Sequence, residues 1–265
     1  MTTTVEATSS VHFPSPRSTF RSEWSKLRTL RSTWIAVISS VIVTVGFAAL
    51  SAATRLHDWD QLTPEARRSV DATQTAFAGL VVVVIVFGAL GVHHASVEFT
   101  TGMIRQTFTA TPRRSAVIAA KATAVAALAA PVALGANLTA FVISQRILAT
   151  KGFDEALTEP RSLGVLVSAA LAVGLLAALG VGLGTMLKRT TAGTITFMAI
   201  LFGGSLFAGI VPAAMRPLLP DAAFQAAITP GAAGQWPNAS GPGLLLGYAL
   251  ATCLLAMFLV ERRDV

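Results

Sequence analysis

E-F-T-T-G-M-I-R-Q-T-F-T-A-T-P-R-R, from Glu98 to Arg114, is a patterned polar segment between two long apolar runs. Residues 72–97 before it and 122–145 after it contain no Asp, Glu, Lys or Arg. Each run exceeds the roughly 20 residues that cross a hydrocarbon core of about 30 Å. A loop that only returns the chain to a bilayer needs few residues and little pattern. This one has more. Gly102 offers a hinge, and Met103, Ile104, Thr107, Phe108 and Thr111 fall on one helical side. Ile104 and Phe108 stand four apart, as neighbours on a helix surface do. Arg105 projects elsewhere, Pro112 pushes Thr111 out of helical geometry, and Arg113 and Arg114 mark a basic exit. The segment reads as a short amphipathic helix gripped between two spans, a surface on which another protein acts.

The rest of the chain fits that setting. It is 53% hydrophobic and only 12% charged, with a mean hydropathy of +0.66; soluble domains carry about 25% charged residues. Four more windows, 32–54, 162–187, 190–215 and 222–260, lack charge. Together the six predict an all-α integral membrane protein with six transmembrane helices. The spans are expected at about 34–53, 76–96, 116–143, 163–187, 192–215 and 242–260. The first apolar run follows a polar, basic leader and is too long for a signal-peptide core, so it is expected to be a retained span. Residues 1–16 read as a disordered leader, 17–260 as one membrane domain and 261–265 as a cytoplasmic tail. With the N-terminus inside, thirteen of the twenty Lys and Arg fall on the inner side, and eight of the thirteen acidic residues fall outside. That bias orients the protein with both termini cytoplasmic. It also accounts for the net charge of +7 without a nucleic-acid footprint.

Two flanking segments have patterns of their own. Between residues 17 and 31, Phe20, Trp24, Leu27, Leu30 and Trp34 recur at helical spacing, surrounded by Arg17, Arg21, Lys26, Arg28 and Arg31. A helix lying in the inner headgroup layer is expected there. Between Arg216 and Pro242, five prolines and several glycines exclude one continuous span. A short helix at 221–229 is expected, with Asp221 at its N-terminus, inside a re-entrant external segment before the last span.

Enzyme-like constellations are few. His94 and Glu98 share a helix face beside His93, but a metal site wants three or four ligands, and His12 and His57 supply no matching motif. No G-x-x-x-x-G-K-[ST] occurs, so the chain has no phosphate-binding loop of that type. No catalytic, cofactor-binding or metal-binding residue is expected. Cys253 reads as an apolar filler, Asn137 as a polar group bonded across helices or facing a cavity, and Pro131 as a kink or local break. Gly180 and Gly184, at GxxxG spacing, and Gly182, Gly203, Gly204 and Gly209 read as faces for close helix packing.

The segment Glu98–Arg114 resembles the cytoplasmic loop between spans two and three of ABC-2-type transporter permeases. Glu98, Phe99, Thr101, Gly102, Ile104, Arg105, Pro112 and Arg113 match its pattern. Arg21–Trp34 resembles the N-terminal interfacial helix of these permeases, and Pro220–Trp236 their external re-entrant element. The resemblance runs from about Arg17 to the C-terminus; His93 and His94 depart from it. It implies the permease subunit of an ATP-driven exporter in a plasma membrane, and sixteen arginines against four lysines with abundant Ala point to a GC-rich bacterial source. Its partners would be a cytoplasmic ABC ATPase, holding the ATP and Mg that this chain does not bind, and a second permease subunit, either an identical copy or a close paralogue. Spans two and five would lie near the dimer axis. The ATPase-coupling residues implied are Glu98, Phe99, Gly102, Met103, Ile104, Arg105, Phe108, Pro112 and Arg113. The interfacial helix would rest on Phe20, Trp24, Leu27, Arg28 and Arg31. Two other classes compete: an ATP-independent secondary transporter or channel, which calls for intramembrane ionisable residues and repeated halves, and an intramembrane metal-dependent enzyme using His93, His94 and Glu98.

Overall fold

A computed structural model describes residues 15–110, 113–207, 209–229 and 240–262. Leader residues 1–14, Pro112, most of the Pro/Gly-rich stretch before the last helix and tail residues 263–265 lie outside the described residues. The described chain is helical. Its α-helices run α1 Pro16–Thr29, α2 Arg31–Asp58, α3 Pro64–Ser69, α4 Ala72–Ala76, α5 Leu80–Thr100 and α6 Met103–Ala110. They continue with α7 Arg114–Leu148, α8 Pro160–Leu187, α9 Thr190–Phe207, α10 Pro220–Ile228 and α11 Ser240–Arg262.

Local chemistry sets the boundaries. Ser15 caps α1 by accepting a hydrogen bond from Ser18 N at 3.2 Å, and Pro16 occupies the first turn, where its missing N–H costs nothing. Leu30 is extended (φ −76°, ψ 119°), ending α1 and starting α2. The expected interfacial helix is therefore separate from Trp34, which belongs to α2. Gly102 turns the chain from α5 into α6 with φ +74°, a left-handed conformation that glycine adopts without a Cβ penalty. Lys188 ends α8 with φ 55°, its N–H bonding Gly184 O at 3.0 Å.

Five helical stretches are long and apolar enough to cross a membrane: Arg31–Gln61, Leu80–Thr100, Arg114–Lys151, Pro160–Leu187 and Gly241–Arg262. The expected span at 192–215 is not one helix. α9 stops at Phe207 and the chain reaches a short 3-10 turn at Ala213–Leu218, where Pro212 and Pro217 prevent continuation. α7 passes unbroken through Pro131, so no local break forms there. The short helix expected at 221–229 is present as α10, with Pro220 and Asp221 in its first turn. It buries Ala223, Phe224, Ala226 and Ala227.

α8 is the central post, the most enclosed of the five. Its glycines admit neighbours on two sides. A Cβ on Gly180 would stand 2.4 Å from Gly88 O, and one on Gly184 2.4 Å from Val92 O, so both face α5. A Cβ on Gly182 would meet Thr252 of α11 at 2.9 Å. Gly91 of α5 completes the contact, since its Cβ would lie 2.2 Å from Ala177 O. Without water to drive association, such backbone proximity is how apolar helices gain van der Waals energy in lipid. Phe87, Phe141 and Phe197 fill the remaining core. At the far end from α6, Thr73 bonds the Glu155 carboxylate and Gln145 Nε2 donates to Ala72 O at 3.3 Å, tying α4, α7 and the following loop.

Gly91→Ala is expected to lower stability by roughly 1–3 kcal/mol, the usual cost of forcing atoms into a packed contact. Gly46→Ala, where a new Cβ meets nothing within 4 Å, is expected to leave it unchanged or slightly raised. Thermal unfolding in detergent distinguishes the two; equal effects would contradict the α5–α8 packing.

Candidate functional site: a buried ion cluster beneath α6

The last two turns of α5 carry His94 and Glu98, spaced four residues apart and both buried at 4% exposure. On α1, Thr19, Glu23 and Leu27 recur every four residues and form its buried side. Lys121 lies two turns into α7 and is 3% exposed. These helices bring four charges and an imidazole together.

Lys121 Nζ donates to Glu23 Oε2 at 2.7 Å and to Glu98 Oε1 at 2.9 Å. Lys26 Nζ donates to Glu23 Oε1 at 2.6 Å and to Glu98 Oε1 at 2.7 Å. Each ammonium thus bridges the same two carboxylates, one from α1 and one from α5. His94 Nε2 lies 3.1 Å from Glu23 Oε2, and because a carboxylate only accepts, the ring nitrogen donates. Glu98 Oε2 is buried with no partner.

Burial by itself would raise the pKa of Glu23. The hydrogen bond from His94, the charge and bond of Lys121 and the bond from Lys26 outweigh it and hold the carboxyl well below its ordinary 4.5. Lys26 is opposed by burial too, yet its bonds and attractions to Glu23 and Glu98 raise it above 10.5. Two carboxylates and two ammonium groups balance in charge. Buried pairs of this kind add little net stability, because desolvation offsets attraction, but removing one partner strands a charge at a cost of about 3–5 kcal/mol.

The cluster lies at the end of α5 that leads through Thr101 and Gly102 into α6. Ile104 is 5% exposed, and half-buried Phe99 and Phe108 pack around Ile118, Ala256 and Val260 with Met186 and Met257. Arg114 lies over the Phe108 ring at 5.2 Å and Lys188 over the Phe99 ring at 5.4 Å. The apolar pair Ile104 and Phe108 therefore seats α6 on its own chain. Met103, Arg105, Gln106 and Thr109 form the open side, and Arg113 is exposed beyond it.

The expected coupling residues thus divide. Glu98 lies at the root of the hairpin rather than on its surface, Gly102 is the hinge, and Met103 and Arg105 are outside. Among the interfacial residues, Leu27 faces the protein core at 1% exposure. Phe20 and Trp24 are half-buried and stacked, their centroids 6.1 Å apart, while Arg28 and Arg31 are exposed. Sequence reasoning missed Glu23, Lys26 and Lys121 as members of a site, and it paired His94 with Glu98 on one helix face without finding their partners on α1 and α7. One signal was available: Lys121 stands alone seven residues into an apolar helix, and an isolated charge there needs a partner.

His93, about 100° round α5 from His94, is exposed while His94 and Glu98 are buried, so the three do not converge. Among the described residues, no group of three His, Cys, Asp or Glu side chains is arranged to hold a metal. Cys253 is buried with its thiol toward Ala178 O at 3.5 Å, as a filler. Asn137 is wholly buried, but neither polar atom of its side chain has a protein partner, so it makes no bond across helices.

Five long apolar helices, with α8 the most enclosed among them, define a multi-pass α-helical membrane protein. Residues 19–205 match the family model described as ABC-2 family transporter protein, and the chain belongs to that family. The match includes the three helices that build the ion cluster, together with α6. No curated protein matches the chain. The family makes it a membrane component of an ABC transporter and associates it with an ABC ATPase.

Lys121→Met is expected to destabilise the protein by about 3–5 kcal/mol. The pH dependence has two limbs. Glu23 has a depressed folded-state pKa, so its contribution is whole above about pH 4.5 and fades as pH falls below that value. Lys26 has a raised one, so its contribution is whole below 10.5 and is lost as pH climbs through the folded value. Glu23→Gln should flatten the acid limb of a melting-temperature profile in detergent; an unaltered slope would remove Glu23 from the account.

Proposed function

We propose that this chain is the permease subunit of an ATP-driven exporter and that a cytoplasmic ATPase acts on the open side of α6. The observation that carries this reading is the construction of α6: eight residues hinged at Gly102, seated by Ile104 and Phe108, with Met103 and Arg105 left outside. Family membership supplies the class of partner.

In this reading the end bearing α1, α6 and Lys188 is cytoplasmic, by the positive-inside bias, and both termini lie there. α9, with 18 residues, serves as the sixth and shortest crossing, about 27 Å long, and α10 belongs to a re-entrant external element. Two permease subunits enclose the path, with α5 and α9 near the axis. The partner ATPase binds ATP and Mg, and its closure displaces α6. Only Thr101 and Gly102 separate α6 from α5, so a push on α6 reaches the turn that carries Glu98. There the ion cluster makes separation of α5 from α1 and α7 costly, and the three helices move as a unit. The partner supplies the differential free energy that alternating access requires.

The family match and the lack of convergence among His93, His94 and Glu98 weigh against the transporter without ATPase and the enzyme. The test is purification of the chain with its soluble ATPase, followed by assay of ATP hydrolysis in the complex. Met103→Asp with Arg105→Glu, both on exposed positions, is expected to weaken association at least ten-fold, as loss of central interface anchors does, while leaving the melting temperature unchanged. Transport sustained in vesicles that contain no ATPase would overturn the reading.

A further inference from the structure

The elbow between α1 and α2 encloses a small cavity that the coupling reading does not use. Its volume is about 90 Å³, and Trp24, Leu27, Val37 and Leu128 form its apolar walls. Arg28 and Trp34, both exposed, stand at its rim. Trp34 Nε1 donates to Arg28 O at 2.9 Å and so pins the rim across the break at Leu30. Thr33 also lines the cavity. It is 2% exposed, and its Oγ1 has no hydrogen-bond partner. A buried hydroxyl left unpaired keeps its full desolvation penalty, so the slot offers an unused polar contact inside apolar walls.

Charge outside the slot completes the pattern. Arg17, Arg21 and Arg28 are spaced four and seven residues apart, which places them on one stripe of α1, and all three are exposed. No carboxylate pairs with them among the described residues. The remaining cation of α1, Lys26, is committed to the ion cluster. A free phosphate would use the guanidinium groups but not the slot. A neutral lipid would use the slot but not the basic stripe. An acidic lipid uses both.

We propose that the elbow binds an acidic phospholipid of the surrounding bilayer. One acyl chain enters between Trp24 and Leu128, the phosphate lies on Arg28, and the Thr33 hydroxyl donates to an ester carbonyl. The site stands whether or not the coupling reading holds, because its test involves no ATPase.

The chain has four tryptophans, and Trp59→Phe with Trp236→Phe leaves Trp24 and Trp34 as reporters. This full-length variant is placed in phosphatidylcholine nanodiscs, and fluorescence is followed as lipid brominated on its acyl chains is added. Brominated phosphatidylglycerol is expected to quench at a lower mole fraction than brominated phosphatidylcholine. Arg28→Gln should raise the phosphatidylglycerol half-quenching fraction about five-fold, the equivalent of roughly 1 kcal/mol per basic residue at a membrane surface, and leave phosphatidylcholine unaffected. Thr33→Val should weaken phosphatidylglycerol quenching without lowering the melting temperature in lipid-free detergent. Equal quenching by the two headgroups, or a preference untouched by Arg28→Gln, would overturn the proposal. So would relief of the preference by inorganic phosphate, which would make this a simple anion site.

Discussion

Lys121 Nζ reaches the carboxylates of two different helices from inside an apolar one, and the arrangement of this end of the molecule depends on that contact. An ammonium group enclosed by hydrocarbon cannot be left alone, because its desolvation costs several kcal/mol. Glu23 and Glu98 answer it, Lys26 balances the second carboxylate, and His94 takes the remaining lone-pair direction on Glu23. α1 is held in one register against α5 and α7 because only that register closes the cluster. The apolar contacts of Leu27 would tolerate small slides; the four charges would not.

The same end shows how a polar constraint and apolar packing divide the work. α5 meets α8 through glycines, with backbone against backbone at Gly91, Gly180 and Gly184. That contact is close but has no charge to fix partners. The ion cluster supplies specificity at one end, and the Thr73, Glu155 and Gln145 contacts supply it at the other. Between them, α8 needs only shape. α6 sits at the boundary, its inner side packed on α7 and α11 and its outer side open, so it is attached to a rigid element through the short link at Gly102.

Much of this was legible in the sequence. The apolar windows, the helix boundaries at Gly102 and near Arg113, the short helix after Pro220 and the close-packing role of Gly180 and Gly184 follow from local rules. The errors have physical causes. The stretch 192–215 carries no charge, so hydropathy marks it as continuous, yet Pro212 and Pro217 end regular helix within it. Pro131 invites a break, yet α7 runs unbroken through it. The sequence pattern places Leu27 at the membrane surface, yet it is buried in the protein, because amphipathicity shows that a face is apolar without saying whether lipid or protein covers it.

The sequence alone specified a helical membrane protein, its five long apolar helices and the hinge at Gly102. It did so because bilayer thickness, charge cost and backbone restrictions act on residues close together in the chain. Helix packing is what turns Glu98 inward, sets His94 and His93 apart and joins Glu23, Lys26 and Lys121 in one site. Glu23 and Lys121 are 98 residues apart, and nothing local to either names the other. A buried charge announces that it needs a partner, but which partner it finds depends on how the helices pack.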